Sequence, residues 1–164
     1  MNNFNLLVST SRFNEKNATA ELWFTLLMCG DAYPIISRTQ FPGLITSLTN
    51  LKPKTMISKI KECLQKNPHF VPIDFTCETD TKTINYIIQQ HYQDFIYKED
   101  SFKIILKRRH HEKIERNNFI EFLAKDIDNR VNLENPDKVI RIEVLGNNSG
   151  VSFLKKNDII KIGN

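Results

Sequence analysis

Residues 106–119 read LKRRHHEKIERNNF. Three consecutive cations, Lys107, Arg108 and Arg109, run into His110 and His111, with Lys113 and Arg116 close behind. Those residue types suit three chemistries: metal ligation by the imidazoles, acid–base work, or a grip on an anion. Ligands must converge, yet neighbours on an extended chain point to opposite sides, and no Cys or further His stands at a ligand spacing. No Ser or Cys nucleophile motif accompanies the histidines either. Arginine forks match phosphate oxygens bidentately, and lysines add point charge, so the run points to an anion. On composition alone, a solvated charged loop stays open as the plain alternative.

Position favours the anion. FKIILK (Phe102–Lys107) predicts a strand buried on both faces. Phe119, Ile120, Leu123 and Ile127 follow at helical spacing, VNLENPD forms a loop, and KVIRIEVLG predicts a second strand. Strand, helix, strand implies a parallel unit with a right-handed crossover. The basic run then lies at a carboxyl sheet edge, where open α/β sheets bind ligands. The helix after it offers unpaired N–H groups and a positive dipole end. Asn117 can cap that helix, whereas Glu115 would repel an anion if it pointed inward. Upstream, Asp80 caps a helix reaching about Tyr97. Downstream, GNNSG makes a tight turn, with GVSFL and DIIKI as closing strands.

The first half has a different rhythm. FNLLVST is β-prone, and Asn14 opens a helix that Gly30 ends. Leu22, Trp23, Leu26 and Leu27 mark its core face, with Phe24 and Met28 widening the stripe. PIISRT and GLITSLT read as strands joined by QFPG, a turn with Pro and Gly. A helix opens at Pro53 and closes at Pro68, and FVPIDFT (Phe70–Thr76) is a fourth strand. The order β-α-β-β-α-β is ferredoxin-like. The expected fold class is α/β (α+β): a ferredoxin-like βαββαβ domain over 1–76, then an α/β domain with a mostly parallel sheet over 77–164.

Composition bounds the function. Among 164 residues, 26% are charged and 40% hydrophobic, as in an ordinary soluble protein. No apolar run approaches the ~20 residues of a membrane span, and MNNFNLLVST has neither the basic lead nor the cleavage site of a signal peptide. The expected location is the cytoplasm. Cys29, Cys63 and Cys77 make no CxxC, which argues against a disulfide framework and against zinc. Net charge is +4; residues 1–70 hold 8 Lys+Arg against 4 Asp+Glu, and the rest hold 15 against 15. The densest basic run thus lies in a half that is neutral overall, as a local footprint on a polyanion requires.

One enzymatic alternative stays open. Acylphosphatase-type hydrolases use the ferredoxin-like topology with a phosphate-cradling loop after the first strand. STSRFNE has an Arg there but no Gly to let backbone approach a phosphate, and no nucleotide loop occurs anywhere. Neither a catalytic residue, a cofactor, a metal nor a small-molecule substrate is expected.

Several stretches resemble a known family. VNLENPDKVIRIEVLGNNSGVSFL (Val131–Leu154) is similar to the closing signature of a THUMP domain, and KIILKRRHH to that family's basic strand-to-helix step. LLVSTSRFNEKNATAELW with ISRTQFPGLI resembles the small THUMP proteins that assist tRNA cytidine acetylation, where a ferredoxin-like segment precedes the THUMP core. The resemblance implies an RNA-binding module that holds the acceptor arm and 3′ end of tRNA. It also implies a noncatalytic adaptor that presents tRNA to an RNA cytidine acetyltransferase for N4-acetylcytidine formation. RNA-binding residues would be Lys107, Arg108, Arg109, His110, His111, Lys113 and Arg116, extended by Arg12 and Arg38 from the two N-terminal motifs. Lys155 and Lys156 are weaker candidates, and Asn135, Pro136 and Gly146 are structural. A general structured-RNA binder without a dedicated enzyme partner is a further option.

Overall fold

In a computed structural model, the chain divides into two compact units, Met1–Ile73 with Asn157–Asn164, and Asp74–Lys156. The structure describes residues 3–52, 54, 57, 60, 69–109, 115–155 and 158.

The first unit contains β1 (Leu6–Ser9), α1 (Glu15–Met28), β2 (Ile35–Arg38), β3 (Leu44–Leu48) and β4 (His69–Pro72). Its sheet has the order β2-β3-β1-β4 with every pair antiparallel, the ferredoxin-like arrangement. The helix expected from Pro53 to Pro68 lies mostly outside the described residues; within it, Ile57 and Ile60 are helical and buried. The core joins Leu6 and Val8 of β1, Ile45 of β3 and Phe70 of β4 to Ala18, Leu22 and Leu26 of α1.

The inward face of α1 differs from the expected one. Ala18, Leu22, Thr25 and Leu26 are buried, whereas Trp23 and Phe24 are exposed. At about 100° per residue, the first four make one continuous stripe, and Trp23 and Phe24 lie too far around the helix to join it. Thr25 takes the inward slot because its hydroxyl donates to Glu21 O at 2.7 Å and leaves nothing unpaired. Gly30, at φ +98°, then stops the helix. Its N–H donates to Leu27 O and that of Asp31 to Leu26 O, so two end carbonyls are satisfied.

The second unit contains β5 (Phe75–Glu78), α2 (Thr81–Phe95), β6 (Phe102–Arg109), α3 (Arg116–Ala124), β7 (Lys138–Leu145) and β8 (Asn148–Lys155). The sheet order is β5-β8-β7-β6. Parallel pairing is confined to β6 and β7; β7–β8 and β5–β8 are antiparallel, so the sheet is mixed rather than mostly parallel. The turn at Gly146–Asn147 reverses β7 into β8, with Gly146 at φ +63°. Ile84, Ile88 and Tyr92 of α2 and Phe119 and Leu123 of α3 share a core with Ile104, Leu106, Ile140, Ile142, Val144, Val151 and Phe153. Asp80 caps α2, accepting from Thr83 N–H at 2.8 Å and from the Thr83 hydroxyl. DIIKI, expected as a closing strand, lies outside the described residues apart from Asp158.

FVPIDFT, expected as one strand, is two. β4 ends at Pro72 in one sheet and β5 starts at Phe75 in the other. Between them, Ile73 N–H donates back to Asn5 O while Asp74 N–H donates to Val151 O. Pro72 has no N–H with which to continue a ladder, and alternation of side chains cannot register a change of sheet.

Gly43 ties the first unit together. Its O accepts from Thr10 N–H at 2.9 Å, and its N–H donates to Glu15 Oε1 at 2.6 Å. A Cβ there would lie 2.6 Å from Thr10 O, at φ +76°. Gly30, at φ +98°, faces open space. Gly43→Ala should therefore cost about 1–3 kcal/mol from strain plus displaced backbone, and clearly more than Gly30→Ala. Urea denaturation of both variants checks the order; equal losses would refute the close-approach account.

Candidate functional site

The loop before β7 positions the site. Asp137 accepts from Ser101 N–H at 2.8 Å and from its hydroxyl at 2.6 Å. Ser101 O in turn accepts from Asp137 N–H and Lys138 N–H. The Ser101 hydroxyl and N–H, in that order, hold the Asp137 carboxyl below its ordinary range. Asn132 folds the loop on itself: its side chain donates to Asn135 O and accepts from the N–H groups of Glu134 and Asn135. Lys138, buried, donates to Phe95 O and pairs with Asp100 at 3.2 Å. Both parallel strands thus start from one clamp and keep register from Phe102↔Lys138 to Arg109↔Leu145.

At the far end of β6 the cations divide between the sheet's faces. Ile104 and Leu106 point into the core, and alternation places Arg108 on that helix side. Lys107 and Arg109 point to the other side, with Arg141 and Glu143 of β7. Lys107 and Glu143 are register partners, as are Ile105 and Arg141. Glu143 is buried and accepts from Arg141 Nε at 2.7 Å and from its Nη2 at 2.5 Å. Burial pushes the Glu143 carboxyl up, while Arg141, Arg109 and Lys107 oppose that shift. The single basic run is therefore two sets of cations around one sheet end, with Lys107 and Arg108 exposed.

The start of α3 departs from the expected phosphate cradle. Glu115, not Asn117, is the cap: its carboxylate accepts from Asn118 N–H at 2.7 Å and Asn117 N–H at 3.1 Å. Those two bonds, aided by the charge of Arg108, hold its carboxyl below the ordinary range. The helix end thus already carries an anion of its own, and Arg116 projects from the first turn, exposed. His110, His111, Lys113 and Lys156 lie outside the described residues.

Arg12 and Arg38 belong to the first unit. Arg12 is exposed in the loop after β1, and Arg38 is exposed at the end of β2. Gly43 N–H, Glu15's own N–H and Phe13 N–H hold the Glu15 carboxyl below its ordinary range, and Arg38 adds to this. The loop after β1 is thus filled by Glu15. Phe13, at φ +68°, holds a strained backbone in that loop while its ring is 97% exposed. Among the described residues, no group of three potential metal ligands comes together, and no helix is long and apolar enough to cross a membrane.

Sequence reading missed Arg141 and Glu143, which stand in KVIRIEVL as ordinary polar positions of a strand. Their signal was available only through register: a parallel partner carrying Lys107 and Arg109 makes a buried carboxylate tenable there.

Residues 78–154 match the THUMP domain family. That match spans most of the second unit. The chain is also similar in fold to PH1313 from Pyrococcus horikoshii, at TM-score 0.69 and 16% identity over 92% of this chain. TrmN from Thermus thermophilus aligns at TM-score 0.59 and 13% identity over 90% of it. A 4-thiouridine synthetase solved with RNA and ATP aligns at 0.61 and 15% over 93%. The alignments span only 55%, 44% and 41% of those proteins' lengths. No curated protein matches the chain. The clamp, the β6 cations and the Gly146 turn all fall within the THUMP match.

Because the Glu115 carboxyl is depressed, its cap should contribute stability above the ordinary carboxylate range and lose it as pH falls through the folded value. Glu115→Gln should lower stability at neutral pH, with the gap to wild type closing in acid. Urea titrations at several pH values measure it; a gap independent of pH would refute the cap.

Proposed function

We propose that this chain binds tRNA through its THUMP domain and acts as a noncatalytic adaptor, presenting tRNA to an RNA cytidine acetyltransferase. The observation that carries the RNA reading is the gathering of Lys107, Arg108, Arg109 and Arg116 around one sheet end inside the THUMP match. Exposed guanidinium and ammonium groups at a carboxyl sheet edge suit a phosphate backbone. A 4-thiouridine synthetase of similar fold was solved with RNA, which supports the compatibility of this fold with that ligand.

The adaptor reading rests on the two N-terminal stretches that resemble acetylation-assisting THUMP proteins. In the first unit these stretches meet at Gly43, through Thr10 and Glu15. A cytoplasmic location accords with this role. The acylphosphatase-like alternative is disfavoured, because Glu15 takes the N–H groups that a phosphate would need in the loop after β1. Without a partner enzyme, the same surface describes a general binder of structured RNA.

Affinity for tRNA should fall steeply with salt, with log K dropping about 0.7–0.9 per log unit of salt for each phosphate neutralised. Arg108→Glu with Arg109→Glu should abolish binding and also lower the thermal midpoint, because the new carboxylates face Glu115 and buried Glu143, whereas Arg116→Glu should weaken binding with the midpoint close to wild type. Filter binding across a salt series and thermal melts test both; wild-type binding by the double variant would sink the site. Adding the protein to acetyltransferase, acetyl-CoA and tRNA should greatly speed N4-acetylcytidine formation, by proximity and orientation rather than new chemistry. Equal rates with and without it would leave an RNA binder only.

A further inference from the structure

A buried ion pair is a poor way to hold a sheet together, because apolar side chains of similar volume do it as well or better. The Arg141–Glu143 pair of β7 therefore calls for a reason beyond stability. Glu143 is 3% exposed, and Arg141 closes on its Oε1 with Nε at 2.7 Å and Nη2 at 2.5 Å. Lys107 and Gly150 flank Glu143 in its row of the sheet, and Ile105 flanks Arg141 on the β6 side. Gly150 and Ile105 have no group that could take up a charge. Among the described residues, the cations that favour an ionised Glu143 are Arg141 first, then Arg109 and Lys107. Of these, Arg141 alone bonds to it, while Lys107 stays exposed.

We infer that Arg141 is a positioning residue for RNA: by holding Glu143, it leaves Lys107 and Arg109 to meet phosphate. Arg141 is itself withdrawn from the ligand, with its side chain 16% exposed and two of its nitrogens committed to Glu143. Its planar fork suits it to hold a carboxylate, whereas the flexible Lys107 suits an outward point charge. Without Arg141, the buried carboxylate would be left uncompensated, and Lys107, its register partner, is the cation placed to turn inward and take it. The sheet end would then offer one cation fewer and one anion more. The inference rests on the RNA reading, and it extends the determinants of affinity to a strand outside the basic run.

Filter binding of tRNA to the full chain across a salt series tests it, with thermal melts of each variant. Arg141→Gln should weaken binding roughly five- to tenfold near 0.1 M salt and flatten the salt slope by about one phosphate contact. Adding Glu143→Gln to Arg141→Gln should recover both affinity and slope. Lys107→Gln should weaken binding in the wild-type background but cost nothing further beside Arg141→Gln, where Glu143 already holds that lysine. Additive losses for Arg141 and Lys107 would reduce the effect to a tally of charge. A loss that Glu143→Gln does not recover would make Arg141 a ligand contact or a purely structural residue. Either result overturns the inference, as does wild-type binding by Arg141→Gln. If Arg141→Gln does not fold, the double variant, which buries no charge, still decides: wild-type affinity supports the inference, and weak binding by the folded protein overturns it. No binding by wild type overturns the RNA reading as well, whereas wild-type binding unmoved by Arg141→Gln overturns the inference alone.

Discussion

The reciprocal bonds between Asp137 and Ser101 govern the second unit. One carboxylate holds a backbone N–H and a hydroxyl just ahead of β6, and the carbonyl of the same serine holds the first N–H groups of β7. Parallel strands have no hairpin to fix their alignment, so a side chain must do it. A slip of β6 by one residue would turn Ile104 and Leu106 out of the core and Lys107 into it, and a slip of β7 would do the same with Ile140, Ile142 and Glu143. Burial of those apolar residues and placement of the cations are consequences of the same lock.

From that register follows the electrostatic design. Arg108 is left beside Glu115, and Lys107 and Arg109 beside Glu143. Each carboxylate neutralises part of the charge and orients what remains. Glu143 is tenable in its buried position because Arg141 donates two bonds to it. Glu115 satisfies two helix-end N–H groups that would otherwise need water or a ligand. The helix end therefore contributes less free dipole than an uncapped one, and the side-chain cations carry the attraction.

Much of the fold was legible because it is written in local patterns. The helix from Asp80, the strand at KIILK and the turn at Gly146 each announce themselves by a cap, an apolar run or a glycine. The strand order of the first unit followed from element order. What escaped reading depends on distant partners. Whether FVPIDFT stays in one sheet is decided by Asn5 and Val151, not by its own alternation. Trp23 was assigned inward because hydrophobicity does not say which of two stripes meets the sheet. At the site, the types of Lys107, Arg108 and Arg109 were plain, but their division between faces and the capping by Glu115 required the geometry of strand and helix together.

The place of β6 in its sheet has a further consequence. Among the described residues it is the last strand in the order β5-β8-β7-β6, and only its Phe102 pairs outward, in a bridge to Val131. Strands in that position invite addition of a like strand from another molecule, and charged side chains are the usual deterrent. Lys107, Arg108 and Arg109 therefore guard against aggregation as well as attracting an anion. Charge neutralisation along this strand would weaken colloidal solubility together with affinity, whereas charge reversal would spare the first while removing the second.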